Sequence, residues 1–312
     1  MSKALLFSGQ GSQYVGMTKD LLDAYDTARQ MAANANDILG YDLVSIMTEG
    51  PEEELRKTVN TQPALFLHEA ILVALAPMPE ATAVAGHSLG EYSALHAAGV
   101  LTFEDALRLV QLRAELMFNA GNAVPGTMAA IVGLDDDAVR EICNELNGRD
   151  GNVIVPANFN SPGQVVVSGS ADYVRSCLPV FKERGAKMVK ELQVSGAFHS
   201  PLLAEAEEGL AQKIRATEFS SPRMPVYVNV NACAVTISDE LKECAIRQLT
   251  SPVLWTSTMY AMWSEGITSF CEVGPGKVLQ GLVKRTLAEA TIDGVDTASD
   301  VARRTARFIA EN

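Results

Sequence analysis

Short unbroken apolar runs alternate along this chain with longer stretches in which apolar residues recur every three to four positions. That alternation is the pattern of buried strands feeding helices. Lys3 to Phe7 reads as a strand, closed by the glycine-rich turn "SGQGSQ", with a helical pattern from about Thr18. In "TQPALFLHEAILVALA" Thr61 is the expected N-cap and Pro63 falls in the first turn, so the segment predicts a core helix. A strand over 81–85 follows, then a turn around Ser88 and two helices. The second is signed by Thr102 as cap and Asp105 three residues on, and is expected to end near Gly121.

The character of the chain changes at "AVPGTMAAIVG". From there the pattern predicts strand 127–132, helix 136–147, strand 152–158, a Ser-Pro-Gly turn, strand 164–169, helix 171–184 and strand 186–192. That order is β-α-β-β-α-β, a ferredoxin-like unit. Pro179 inside the second helix predicts a kink or break there. From about Gly196 the first style returns: a helix over 200–216, a strand "MPVYVNV" at 224–230, a helix after Ser238, and a strand 269–274 entering another helix. The predicted organisation is an α/β domain over 1–124 and 196–312, carrying an inserted small unit over 125–195. The tail from about Ala290 is polar and is expected to end in a helix.

Composition narrows the function classes. With 312 residues and 47% hydrophobic content the chain can bury a large core, and its net charge of −13 argues against nucleic acid as a partner. An anionic ligand must therefore meet a local positive site. Five cysteines (Cys143, Cys177, Cys233, Cys244, Cys271) without a C-x-x-C pair suggest neither a disulfide framework nor a zinc cluster. The apolar run at the N-terminus is too short for a signal-peptide core, and Ala64 to Ala76 is interrupted by His68 and Glu69. The expectation is a cytoplasmic protein that uses no membrane, metal or cofactor.

Candidate chemistry centres on "AVAGHSLGEYSALHAAG". Gly86-His87-Ser88-Leu89-Gly90 fits G-x-S-x-G, with a strand before it and a helix after it, which is the setting of a nucleophile elbow. The competing reading is a polar serine in a tight turn. A serine nucleophile needs a base, and the chain has four histidines. His87 is adjacent to Ser88 and poorly aligned for proton transfer. His96 lies about 12 Å along the next helix, and His68 sits roughly 9 Å below the active edge of the sheet. His199, in the loop "SGAFHSPLL" where the chain re-enters the larger domain, remains.

Arg113 falls on an apolar helix row with Ala106, Leu109, Val110 and Met117, and has no carboxylate three or four residues away. Its partner is either a substrate carboxylate or a protein acid from elsewhere in the fold, and spacing leaves both open. "GQGSQ" (9–13) fails the dinucleotide pattern at Tyr14, and "GPGK" (274–277) fails the P-loop pattern. The first glycine turn and the Leu89 N–H can instead serve an oxyanion above the same sheet edge.

These residues closely resemble the malonyl-CoA:acyl-carrier-protein transacylases and, more broadly, the acyltransferase domains of fatty acid and polyketide synthases. The matching stretches, in family order, are "GQGSQ" (9–13), "TQPA" (61–64), "GHSLGEYSAL" (86–95), "QLRAELM" (111–117), "ANFNSPGQVVVSG" (157–169), "GAFHS" (196–200), "QLTSPVLW" (248–255) and "EVGPGKVL" (272–279). The resemblance implies an α/β-hydrolase-like domain with a ferredoxin-like insert. It implies that Ser88 carries the acyl group, that His199 is its base, and that the Gln248 carbonyl orients the imidazole. Gln10 and Leu89 would supply the oxyanion hole, and Arg113 would clamp the malonyl carboxylate. Gln62, Asn160, Met117, His87 and Phe198 would line the substrate pocket, the Phe198 ring leaving little room for an α-methyl branch.

The implied partners are malonyl-CoA and an acidic acyl carrier protein docking near the cleft between the two units, with the chain itself a monomer. Lys182, Arg184, Lys187 and Lys190, or Lys277, Lys284 and Arg285, are candidate docking charges, although solvated faces are their commoner use. A serine esterase or thioesterase, and a non-catalytic synthase module, are the competing classes.

Overall fold

The structure is a computed structural model that describes residues 2–311. Six strands make the larger sheet: β1 (Lys3–Phe7), β2 (Ala81–Gly86), β7 (Val226–Tyr227), β8 (Ala234–Val235), β9 (Ser269–Val273) and β10 (Thr291–Val295), in the order β10-β9-β1-β2-β7-β8. All neighbouring pairs are parallel except β7 with β8. Helices cover both faces of this sheet, so its central strands are apolar throughout; Ala4 to Phe7 are all buried.

The smaller sheet holds β3 (Gly126–Val132), β4 (Ile154–Ser161), β5 (Gln164–Ser170) and β6 (Met188–Glu191), antiparallel and ordered β4-β5-β3-β6. With helices Asp136–Leu146 and Ala171–Glu183 packed on it, this is the ferredoxin-like arrangement read from the sequence. The smaller sheet is stapled to a loop of the larger unit. The Phe159 N–H donates to the Val253 carbonyl at 2.9 Å and the Val253 N–H donates to the Ala157 carbonyl at 2.8 Å, tying β4 to the chain that precedes helix Trp255–Ser264.

Four details differ from the sequence reading. The helix expected to be capped at Thr61 begins one turn earlier and runs Thr58–Leu75, leaving Pro63 in its interior. Proline has no N–H for the Val59 carbonyl, and the Tyr41 hydroxyl donates to that carbonyl instead, at 3.3 Å. The helix Ala171–Glu183 runs through Pro179 without a break. Pro179 lies on its exposed side, where water can serve the carbonyl that proline leaves unpaired. The strand expected at 224–230 is only Val226–Tyr227, because the chain turns away after it. Finally, the polar tail contains β10 before its last helix, Ala298–Glu311. Among the described residues no helix is long and apolar enough to cross a membrane.

Candidate active site

Chemistry gathers at the carboxyl ends of the parallel strands, where loops leave β1, β2, β7 and β9. Between Gly86, the last residue of β2, and helix Gly90–Ala97 the chain turns so sharply that no side chain fits at either glycine. A Cβ on Gly86 would sit 1.9 Å from the Gly90 carbonyl oxygen, and one on Gly90 would sit 2.2 Å from the Phe7 oxygen. Ser88, at the apex, has φ 52°, a left-handed conformation that costs a non-glycine residue on the order of 1–3 kcal/mol. His199 has φ 56°. Both residues are thus held in strained backbone, and their side chains meet.

Ser88 Oγ lies 2.8 Å from His199 Nε2. The other ring nitrogen, Nδ1, faces the Gln248 carbonyl at 3.0 Å and the Ser251 carbonyl at 3.1 Å. Two carbonyls can only accept, so Nδ1 carries the proton and Nε2 presents its lone pair to the serine hydroxyl. The imidazole is 3% exposed. Burial, followed by the nearby Arg113 charge, pushes its pKa down to about 3. It is therefore neutral in the resting pocket.

This predicts a direct readout. The ring resonances of His199 should not titrate between pH 8 and pH 5, and a midpoint near 6.5 by NMR would contradict the buried, cation-facing setting. The unfolded chain takes up a proton near pH 6.5 that the folded site refuses, so this histidine subtracts stability as pH falls below that value.

Arg113 comes from helix Phe103–Ala123 and is 1% exposed. Its Nη1 donates to Gln62 Oε1 at 2.7 Å, and its Nη2 donates to Ser88 Oγ and Gln248 Oε1, both at 3.0 Å. The Tyr92 ring lies beneath it at 5.7 Å, and Nε has no partner. Among the described residues no carboxylate comes within ion-pair distance of the guanidinium. The alternative of a tertiary salt bridge is not what the fold provides. A buried cation hydrogen-bonded only to neutral oxygens, beside the serine hydroxyl, has the chemistry to pair with a ligand anion.

A cavity of about 110 Å³ opens between the two sheets at this point. The larger domain contributes Gln10, Gln62, His87, Ser88, Leu89, Arg113 and Met117, with Phe198 and His199 from the re-entry loop. Gln62 Nε2 donates to Met117 Sδ at 3.3 Å, so the glutamine bridges the arginine and the methionine. The N–H groups of Gln10 and Leu89 donate to no other protein group among the described residues, which leaves both available to an oxyanion. His87 takes no part in the Ser88–His199 pair; its Nε2 meets Asn160 Oδ1 at 2.8 Å. Asn160 itself lies in an adjoining cavity of about 140 Å³ that shares Gln10 and His87 with the first. Gln248 stands behind the site rather than in its wall.

The sequence reading missed several participants. Met128, Asn158, Leu192 and Val194 of the smaller unit form the facing wall. As strand or strand-end residues they resemble ordinary core, and only Asn158, inside the quoted "ANFNSPG", carried a signal. Asn229 and Glu91 were also missed. Asn229 is a polar residue in the otherwise apolar run "VYVNV", and it is fully buried against the Ser88 turn. Of the candidate docking charges, Arg184 pairs with Glu145, and Arg285 donates to Gln164 at the rim of the adjoining cavity. Among the described residues no group of His, Cys, Asp and Glu is arranged to hold a metal.

Comparison with known proteins gives a consistent result. The acyl transferase domain family matches residues 4–306. A malonyl CoA-acyl carrier protein transacylase of Escherichia coli (strain K12) is 41% identical over 302 residues, which is 96% of this chain and 97% of the relative. The protein of the same name from Staphylococcus aureus (strain COL) is also 41% identical, over 96% of this chain and 98% of its own. Among solved structures, an acyl carrier protein S-malonyltransferase from Vibrio cholerae aligns with a TM-score of 0.91 at 40% identity, covering 97% of this chain and 99% of that one. A malonyl-transacylase solved in complex with its type II PKS acyl-carrier protein aligns with a TM-score of 0.92 at 38% identity, covering 98% and 100%.

Proposed function

The chain belongs to the acyl transferase domain family, and from that premise we propose that it moves a malonyl group from malonyl-CoA to the phosphopantetheine thiol of an acyl carrier protein. The transfer runs through a malonyl ester on Ser88 and serves fatty acid or polyketide synthesis. His199 takes the proton of Ser88 Oγ as the oxygen attacks the thioester carbonyl. The developing oxyanion is held by the N–H groups of Gln10 and Leu89. When the tetrahedral intermediate collapses, the carbon–sulfur bond breaks and the departing thiolate receives the proton from His199. The carrier thiol then repeats the sequence in reverse, its proton passing to His199 as its sulfur attacks the ester.

Arg113, with Gln62, pairs with the malonyl carboxylate. That pairing also offsets the positive charge which, after burial, depresses the His199 pKa, so a correctly charged acyl group makes the imidazole a better proton acceptor. The Gln248 carbonyl holds the imidazole in the role that an aspartate fills in other serine enzymes. The adjoining cavity past His87 and Asn160 gives the thioester arm a way in, and the Arg285 rim gives an acidic carrier a positive contact. Five cysteines without a disulfide fit a reducing cytoplasm, and a monomer is sufficient because one chain supplies the whole site.

The observation that carries this reading is the buried Arg113 without a carboxylate, 3.0 Å from the serine hydroxyl. Incubation with malonyl-CoA, with and without carrier protein, tests it. Malonyl-carrier should form much faster than free malonate; equal rates would make the protein a hydrolase.

A further inference from the structure

A sharp strand-to-helix turn leaves backbone groups that neither the sheet nor the helix can pair. β2 ends at Gly86, and its partner β7 has already ended at Tyr227, so the ladder between them stops at the pair Ala85–Tyr227. Beyond that pair the Asn229 side chain takes the ladder's place. Its Nδ2 donates to the Gly86 carbonyl at 2.7 Å, and its Oδ1 accepts from the Ser88 N–H at 2.8 Å.

Asn229 is itself held from two sides. Its own N–H donates to Glu91 Oε2 at 2.6 Å, and its carbonyl accepts from the Leu254 N–H at 3.1 Å. Glu91 lies in the first turn of the helix that leaves Ser88, so the loop closes on itself: turn, asparagine, helix, turn. The Ser88 carbonyl is held by a second amide, Gln248 Nε2, at 3.0 Å. Side-chain carboxamides thus grip both backbone polar groups of Ser88, whose backbone is left-handed.

We propose that Asn229, braced by Glu91, is a positioning residue for acyl transfer: it fixes the turn so that Ser88 Oγ meets His199 and the next amide, that of Leu89, stays free for the oxyanion. The inference rests on the proposed covalent role of Ser88, but not on the malonyl group. Asn229 touches no substrate; it acts through the backbone of the nucleophile.

The test reads the serine with a substrate that lacks a carboxylate. On p-nitrophenyl acetate, Ser88 Oγ forms a bond to the acetyl carbon, the ester C–O bond breaks, p-nitrophenolate leaves as a coloured burst and the serine proton passes to His199. Asn229→Ala should slow that burst and the malonylation step on the order of 10²-fold, the effect of a small misplacement of a reacting atom. The KM for malonyl-CoA should stay within about threefold, because Arg113 and Gln62 are untouched. A folded Asn229→Ala protein with bursts as fast as the unmodified protein would overturn the proposal.

Glu91 supplies a second arm. Glu91→Gln retains an acceptor oxygen for the Asn229 N–H and should keep the burst rate within about threefold, whereas Glu91→Ala should lose about tenfold. Equal rates in the two would overturn the brace. In the unmodified protein, hydrogen exchange should find the Ser88 amide strongly protected and the Leu89 amide fast; the reverse order would also overturn it. A protein that acetylates Ser88 but ignores malonyl-CoA would defeat the proposed function and leave this inference standing.

Discussion

An Arg113→Ala protein is expected to lose about 10²–10³-fold in kcat/KM for malonyl-CoA, and to lose most of its preference for malonyl-CoA over acetyl-CoA. Removing one partner of a buried ion pair costs about 3–5 kcal/mol, because the other charge is left desolvated, and each 1.4 kcal/mol is a factor of ten. In the resting site the guanidinium donates to Gln62, Gln248 and the serine hydroxyl, three neutral acceptors, and its Nε has no partner. A malonyl carboxylate improves on them, and an acetyl group cannot. Arg113→Lys keeps the charge but not the two-pronged fork, so it should fall between the two. Competition between the two acyl-CoAs measures all three proteins at once; unchanged malonyl kinetics in Arg113→Ala would make the arginine structural.

A Ser88→Ala protein should show no malonyl adduct by intact mass after exposure to malonyl-CoA, and transfer to carrier should fall by a factor on the order of 10⁶. Alanine keeps the Cβ of serine, so the left-handed turn and its glycine neighbours bear the same strain as before and the fold should persist. The comparison is therefore one of chemistry rather than of folding. An adduct that survives the substitution would move the covalent site elsewhere, and an unmodified protein without an adduct would be a non-catalytic relative of the synthase enzymes.

The parts of the fold that were legible are those where local pattern and final environment agree. β1 and β2 are largely apolar runs because parallel strands are covered on both faces, and the βαββαβ order followed from strand and helix periods alone. β10 was not legible: "TIDGV" is a partly exposed edge strand whose pairing with β9 is a long-range fact. The start of the helix at Thr58 depended on a tyrosine hydroxyl seventeen residues upstream of Thr58, reaching Val59 to repair a carbonyl, which no local rule contains. In the site, Ser88 was marked by its glycines and His199 by the poor geometry of the other histidines. Arg113 was marked by the missing acids on its own helix. Whether a distant acid would reach Arg113 was undecided until the fold brought up glutamines instead. Asn229 escaped notice because its role is to pair backbone groups orphaned by a turn, and a sequence does not display which groups those are.

The two hydrogen bonds between β4 and Val253 set the width of the pocket independently of its reacting groups. They hold the cavity wall formed by Met128, Asn158, Leu192 and Val194 at a set distance from Ser88, while none of those four residues contributes to the Ser88–His199 pair or its supports. Substitutions in the inserted segment can therefore widen or narrow the pocket without touching Ser88, His199 or the carbonyls that hold the imidazole. One wall of the pocket and the Ser88–His199 pair are thus carried on separate stretches of one chain.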